Sequence, residues 1–134
     1  MILYLQTHNM DQRRKITQAK IDVRYHSREL IKVVFHVADV FPKDDPEGLS
    51  PAMRKKVLAI SSFLTHGTVK SDREEQNNDF LTVMGELREL LKLITIAHHL
   101  KYCSIQHKTI VREGITKVID GLEKLVILSG GFTS

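Results

Sequence analysis

The chain has 134 residues, a mass of 15.4 kDa, one cysteine and a formal charge of +4. That length suits one domain with a real core, and a lone Cys103 excludes both an intramolecular disulfide and a cysteine-built zinc site, which fits a reducing, cytoplasmic compartment. No stretch approaches the roughly 18 uncharged apolar residues of a membrane span, and the apolar residues 2–5 lack the basic lead, the length and the cleavage site of a signal peptide.

In chain order, residues 1–12 read as an N-terminal arm that either docks on a neighbour or stays free, 13–128 as a helical bundle and 129–134 as a C-terminal tail. The first helix is predicted from about Arg13 to Phe41, because Ile16, Ala19, Val23, His26, Leu30, Val33, Val37 and Val40 recur three and four apart. Beyond Leu30 the seam is joined by Ile31, Val34, Phe35, Ala38 and Phe41, so this half needs cover on more than one side. Pro42 and the Asp44-Asp45-Pro46-Glu47-Gly48 turn stop it.

Ser50 as N-cap and Pro51 in the first turn open a second helix, predicted to end near Gly67, with Met53, Val57, Ile60 and Leu64 inward. Ser71 and Glu74 have capping-box spacing for a third, reaching about Tyr102. Its stripe is Phe80, Met84, Leu87, Leu91 and Ile94, flanked by Val83, Leu90 and Ala97, and Gly85 within it predicts a close helix approach. A fourth helix, about Ile105 to Leu128, carries Val111, Ile115, Val118, Leu122 and Leu125 and is ended by Ser129, Gly130 and Gly131. No segment alternates with period two, so a sheet is not expected. With links this short, successive helices are antiparallel neighbours, and the expected fold is all-α, an antiparallel up-down-up-down four-helix bundle.

The run Phe41-Pro42-Lys43, Gly48-Leu49, Met53-Arg54-Lys55, Ile60, Leu64 and Gly67 continues with Asp79-Phe80-Leu81, Gly85-Glu86-Leu87 and Glu89-Leu90. It closes on His99-Leu100-Lys101-Tyr102. These residues resemble the four-helix-bundle family that includes proteins encoded in intervening sequences of bacterial large-subunit ribosomal RNA genes and the accessory variability determinant proteins of diversity-generating retroelements. The chain departs from that pattern at Ser61, Phe63 and His66, where the family commonly has proline, asparagine and glutamate. The resemblance implies a small non-enzymatic bundle. For the retroelement branch it implies a basic homopentamer that binds nucleic acid and a reverse transcriptase.

The charge is unevenly placed. Residues 1–35 hold seven basic groups, Arg13, Arg14, Lys15, Lys20, Arg24, Arg28 and Lys32, against Asp11, Asp22 and Glu29, and the rest of the chain balances. At about 100° per residue Arg13, Lys20, Arg24 and Arg28 share one face, which the sequence places away from the core. Such a row suits phosphate neutralisation in RNA or DNA, although Asp22 and Glu29 are near enough to dilute it. The other reading is an ordinary solvated face. Arg54, Lys55 and Lys56 stand where the dipole of the second helix disfavours cations; they either extend the basic surface or are simply solvated. With no Trp, three Tyr and five Phe, base stacking is not expected to dominate.

Other chemistry has little support. His98 and His99 diverge on one helix, His26 reads as a core or interface histidine, and His36, His66 and His107 as surface or turn residues, so no metal or other cofactor is expected. The chain lacks a phosphate loop, a nucleophile elbow and a paired acid and base, so no enzyme is expected either. Ile31, Val34, Phe35 and Ala38, with Leu90, Leu93 and Ile96, exceed one bundle seam. They point to self-association or to deeper burial inside the bundle. Sequence alone thus favours an oligomeric basic adaptor, with a protein-interaction scaffold lacking nucleic-acid contact as the alternative.

Overall fold

The computed structural model describes the backbone of residues 2–131 and the side chains of residues 9–131. Four helices account for nearly all of it: α1 (Ile2–Ala38), α2 (Leu49–Val69), α3 (Arg73–His99) and α4 (Ile105–Leu128), with no strand among the described residues. The segment expected as an arm is therefore a continuation of α1 from Ile2, while Met1 and residues 132–134 of the tail lie outside the described residues.

Each helix packs on the next and α4 closes on α1, which defines the antiparallel four-helix bundle. The alternation of direction shows in the contacts between helices. Arg24, in the middle of α1, donates to Thr68 at the end of α2, and Arg54 at the start of α2 pairs with Asp39 just past the end of α1. Along α1 and α4 the close neighbours are Val23 with Gly121 and Leu30 with Gly114, and the Gln12 side chain reaches the Leu128 carbonyl.

The core is a continuous column of Val23, Leu30, Val34, Met53, Val57, Ile60, Leu64, Phe80, Leu87, Leu90, Ile94, Val111, Val118, Leu122 and Leu125, all essentially inaccessible to water. Most of the predicted stripes are buried in it. Six of their members are not: Ile16, His26, Val33 and Met84 are half-buried, Leu91 is exposed, and Val40 follows the last turn of α1 and is exposed. On α3 the buried line runs instead through Phe80, Val83, Leu87, Leu90, Ile94 and Ala97. Neighbours on two sides, α2 and α4, turn the helix toward its β-branched and Leu90 flank.

The caps sit differently from their predicted places. Gly48 adopts a left-handed conformation (φ 64°) before α2, and both Asp45 carboxylate oxygens accept from the backbone N–H groups of Leu49 and Ser50. Ser50 lies inside the helix, where its hydroxyl accepts from Arg54. For α3 the cap is Asp72, whose carboxylate accepts from the N–H groups of Glu74 and Glu75, rather than Ser71. An aspartate one residue later wins because its charge also complements the helix dipole. Ser104 caps α4 and exchanges bonds with His107 in a capping box.

α3 ends at His99, short of Tyr102, in a turn where Lys101 holds φ 64° and the Tyr102 N–H bonds to the Ala97 carbonyl. This is a Schellman-type stop with lysine in the position that favours glycine. Lys101→Gly is expected to raise the urea midpoint, stabilising the fold by about 0.5–1 kcal/mol as left-handed strain is relieved.

Candidate nucleic-acid interface

The core-facing line of α1 is Ala19, Val23, Ser27, Leu30, Val34, Val37 and Ala38. Because Ser27 and Val34 belong to it, the line lies closer to the basic row than the predicted seam does. Arg13, Lys20, Arg24 and Arg28 consequently run along the flank of α1 beside the core face, not opposite it. Arg13 and Arg28 are exposed, and Lys20 and Arg24 are half-buried. The Arg24 guanidinium lies over the α1–α2 junction, 3.2 Å from the Thr68 hydroxyl.

The acids expected to dilute this field point elsewhere. Asp22 lines a cleft between α1 and α4 and accepts from Gln18 at 2.8 Å. Glu29 borders the adjoining α1–α4 cleft and pairs with Lys32 at 3.0 Å. Arg13, Lys20, Arg24 and Arg28 have no ion-pair partner among the described residues. The outward face next to them carries Arg14, Arg28 and Lys32 together with exposed Ile21 and Tyr25. Tyr25, 50% exposed and edge-on to His26 at 5.4 Å, is the aromatic that composition alone did not place; its position three residues before Arg28 was the available signal.

Arg54, Lys55 and Lys56 do not extend the row as a unit. Arg54 is ion-paired to Asp39 and lies over the Phe35 ring at 5.0 Å, and Lys56 turns toward α3 to meet Glu86 at 3.0 Å. Both are clamps between helices, which accounts for cations in an unfavourable first turn; Lys55 remains exposed and unpaired among the described residues. At the other end of α2, Lys70 is bonded to Asp79 at 2.7 Å, which raises the lysine pKa.

Of the residues expected at an oligomer interface, Val34, Ala38 and Leu90 are buried inside the bundle itself, so burial by the chain's own helices claims them. Ile31, Phe35 and Leu93 are half-buried against the core, and Ile96 is exposed.

Among the described residues the histidines do not converge with other ligands. His26 is half-buried, His36 and His66 are exposed, and His36 meets His107 ring to ring at 6.3 Å. Among the described residues no three His, Cys, Asp or Glu side chains are grouped to hold a metal ion. Partial burial pushes the Cys103 thiol pKa up, against a smaller lowering by Lys108, so the thiolate is disfavoured. The two α1–α4 clefts, about 260 Å³ each, mix Asp22, Glu29, Glu113 and Asp120 with Lys117 and Lys124 and contain no nucleophile paired with a base. No described helix is long and apolar enough to cross a membrane.

The fold and this surface define a small antiparallel helical bundle with a basic flank. Compared with protein-family models and with curated proteins, the chain matches none. The residues that carry the resemblance occupy structural places: buried Phe41 packs on Tyr102 at 5.8 Å, the Tyr102 hydroxyl donates to Glu47, Gly48 makes the turn, and Gly67 lies against Phe80.

Proposed function

We propose that the protein is a non-enzymatic, self-associating basic adaptor that binds RNA along the flank of α1 and engages a protein partner. The family resemblance makes a reverse transcriptase of a diversity-generating retroelement that partner, and a ring of five the assembly. The observation that carries the reading is the row Lys20, Arg24 and Arg28, held at one-turn spacing against the bundle with no acidic side chain paired to it among the described residues. A rigid row of this kind neutralises successive phosphates without reading bases. Tyr25 adds a stacking surface for one unpaired base.

The test is a fluorescence-anisotropy titration with a structured RNA hairpin at several salt concentrations. Three phosphate contacts give a log–log slope of about −2 to −3. A slope near zero would remove the nucleic-acid role and favour the alternative, a protein-interaction scaffold of the same fold.

A further inference from the structure

The cations of α1 stand in single file, with no comparable row on either side. Lys20, Arg24, Arg28 and Lys32 follow one another at four-residue intervals, so each step rises about 6 Å along the helix. That interval is close to the one between consecutive phosphates of a single extended strand. On the α2 side no lysine or arginine stands between Lys56 and Lys70, and those two are turned to Glu86 and Asp79 of α3. Leu58, Thr65 and Val69 are exposed in that interval, and the one titratable side chain exposed there is His66. On the α4 side Asp22 and Asp120 line one cleft and Glu29 and Glu113 the next, set against Lys117 and Lys124.

A duplex presents two rows of phosphates across grooves roughly 6–12 Å wide. Packed helices have axes about 8–10 Å apart. With one phosphate row on α1, the second would lie over α2, which offers it no free lysine or arginine, or over the α1–α4 clefts, where carboxylates outnumber lysines and repel it.

Between the row and those carboxylates stand Ile21 and Tyr25, one turn apart and 45% and 50% exposed. Tyr25 borders the cleft that Glu29 and Glu113 line, and its ring meets that of His26 edge-on at 5.4 Å. A phosphate gains nothing from this apolar step, whereas the plane of a base does. An unpaired base carries no charge and offers N–H donors, so carboxylates that repel phosphate accept it.

We infer that the α1 flank takes one unpaired strand of RNA, with consecutive phosphates on Lys20, Arg24 and Arg28 and a base on Ile21 and Tyr25, and that it disfavours a duplex. This rests on the RNA-binding reading and names the form of RNA that the site takes. In a hairpin the bound part is the loop, not the stem.

Anisotropy titrations of the full chain with a short oligouridylate and with a blunt RNA duplex of the same length test it. The duplex has the higher charge density, so a row that only neutralised phosphates would favour it. The reverse is expected, with the single strand bound about tenfold more tightly, as one base stack allows. Tyr25→Ala should weaken the single strand about tenfold and narrow its gap to the duplex. Tyr25→Phe should keep the affinity, because the ring and not the hydroxyl carries the stack. Tyr25 is half exposed, so circular dichroism should show the same helical fold in both variants. A duplex bound as tightly as the single strand, a single-strand affinity indifferent to Tyr25→Ala, or a loss in Tyr25→Phe equal to that in Tyr25→Ala would overturn this inference and leave RNA binding standing. No binding to either RNA would overturn both.

Discussion

A chain with Lys20, Arg24 and Arg28 all changed to glutamate is expected to bind structured RNA about a hundredfold to a thousandfold more weakly near physiological salt. The magnitude follows from counterion release, in which each lost phosphate contact removes about 0.9 from the log–log slope. Near 0.15 M salt three contacts are therefore worth roughly two orders of magnitude, and the introduced negative charges add repulsion. The variant should fold, since Lys20 and Arg28 make no ion pair among the described residues and the Arg24–Thr68 hydrogen bond is partly exposed. Its loss costs about 1 kcal/mol. The control is Lys56→Glu. That change breaks a clamp with Glu86 and leaves the basic flank intact, so it should lower stability without changing the slope. Unchanged affinity in the triple variant would remove the flank from the RNA-binding reading.

The second large effect lies at the α2–α3 corner. Phe80 is 1% exposed, and a methyl group added at Gly67 would stand 2.8 Å from its ring and 3.1 Å from Asp79. Phe80→Ala is expected to cost about 3–5 kcal/mol, a large share of the stability of a small domain. Gly67→Ala should cost about 1–3 kcal/mol by forcing the ring out of its rotamer, because the nearby helix backbone cannot retreat without moving Lys70 and Asp79. The two changes share one contact, so their effects will not add. Gly85→Ala should behave in the opposite sense. Nothing lies within 4 Å of the added methyl there, and alanine should gain about 0.5–1 kcal/mol through helix propensity. Urea melts of the three single variants decide this, and a destabilised Gly85→Ala would contradict the open surroundings of that residue.

That pair of glycines marks where sequence reasoning stops. Periodicity found four helices and most core residues, since a bundle helix must present one apolar line to its neighbours. The pattern read Gly67 as a helix end and Gly85 as a close helix approach, whereas the height at which α2 meets α3 sets Gly67 against Phe80 and leaves Gly85 open. Caps behave the same way. Ser50 and Ser71 satisfied the local rule, but Asp45 and Asp72 captured the N–H groups because the turns brought a charged acceptor to them.

For the candidate interface, the basic residues and their one-turn spacing are sequence facts. Their field is not, because pairing depends on which neighbour lies across the groove. Arg54 and Lys56 are neutralised by Asp39 and Glu86, which are distant in sequence, while Asp22 and Glu29, close in sequence, sit around the helix toward α4. The uneven +4 and the four amphipathic helices were determined by the chain alone, because both depend on residue order along single helices. Which cations stay free and which apolar residues the core absorbs were decided by the tertiary structure, because each depends on the heights and angles at which the helices meet.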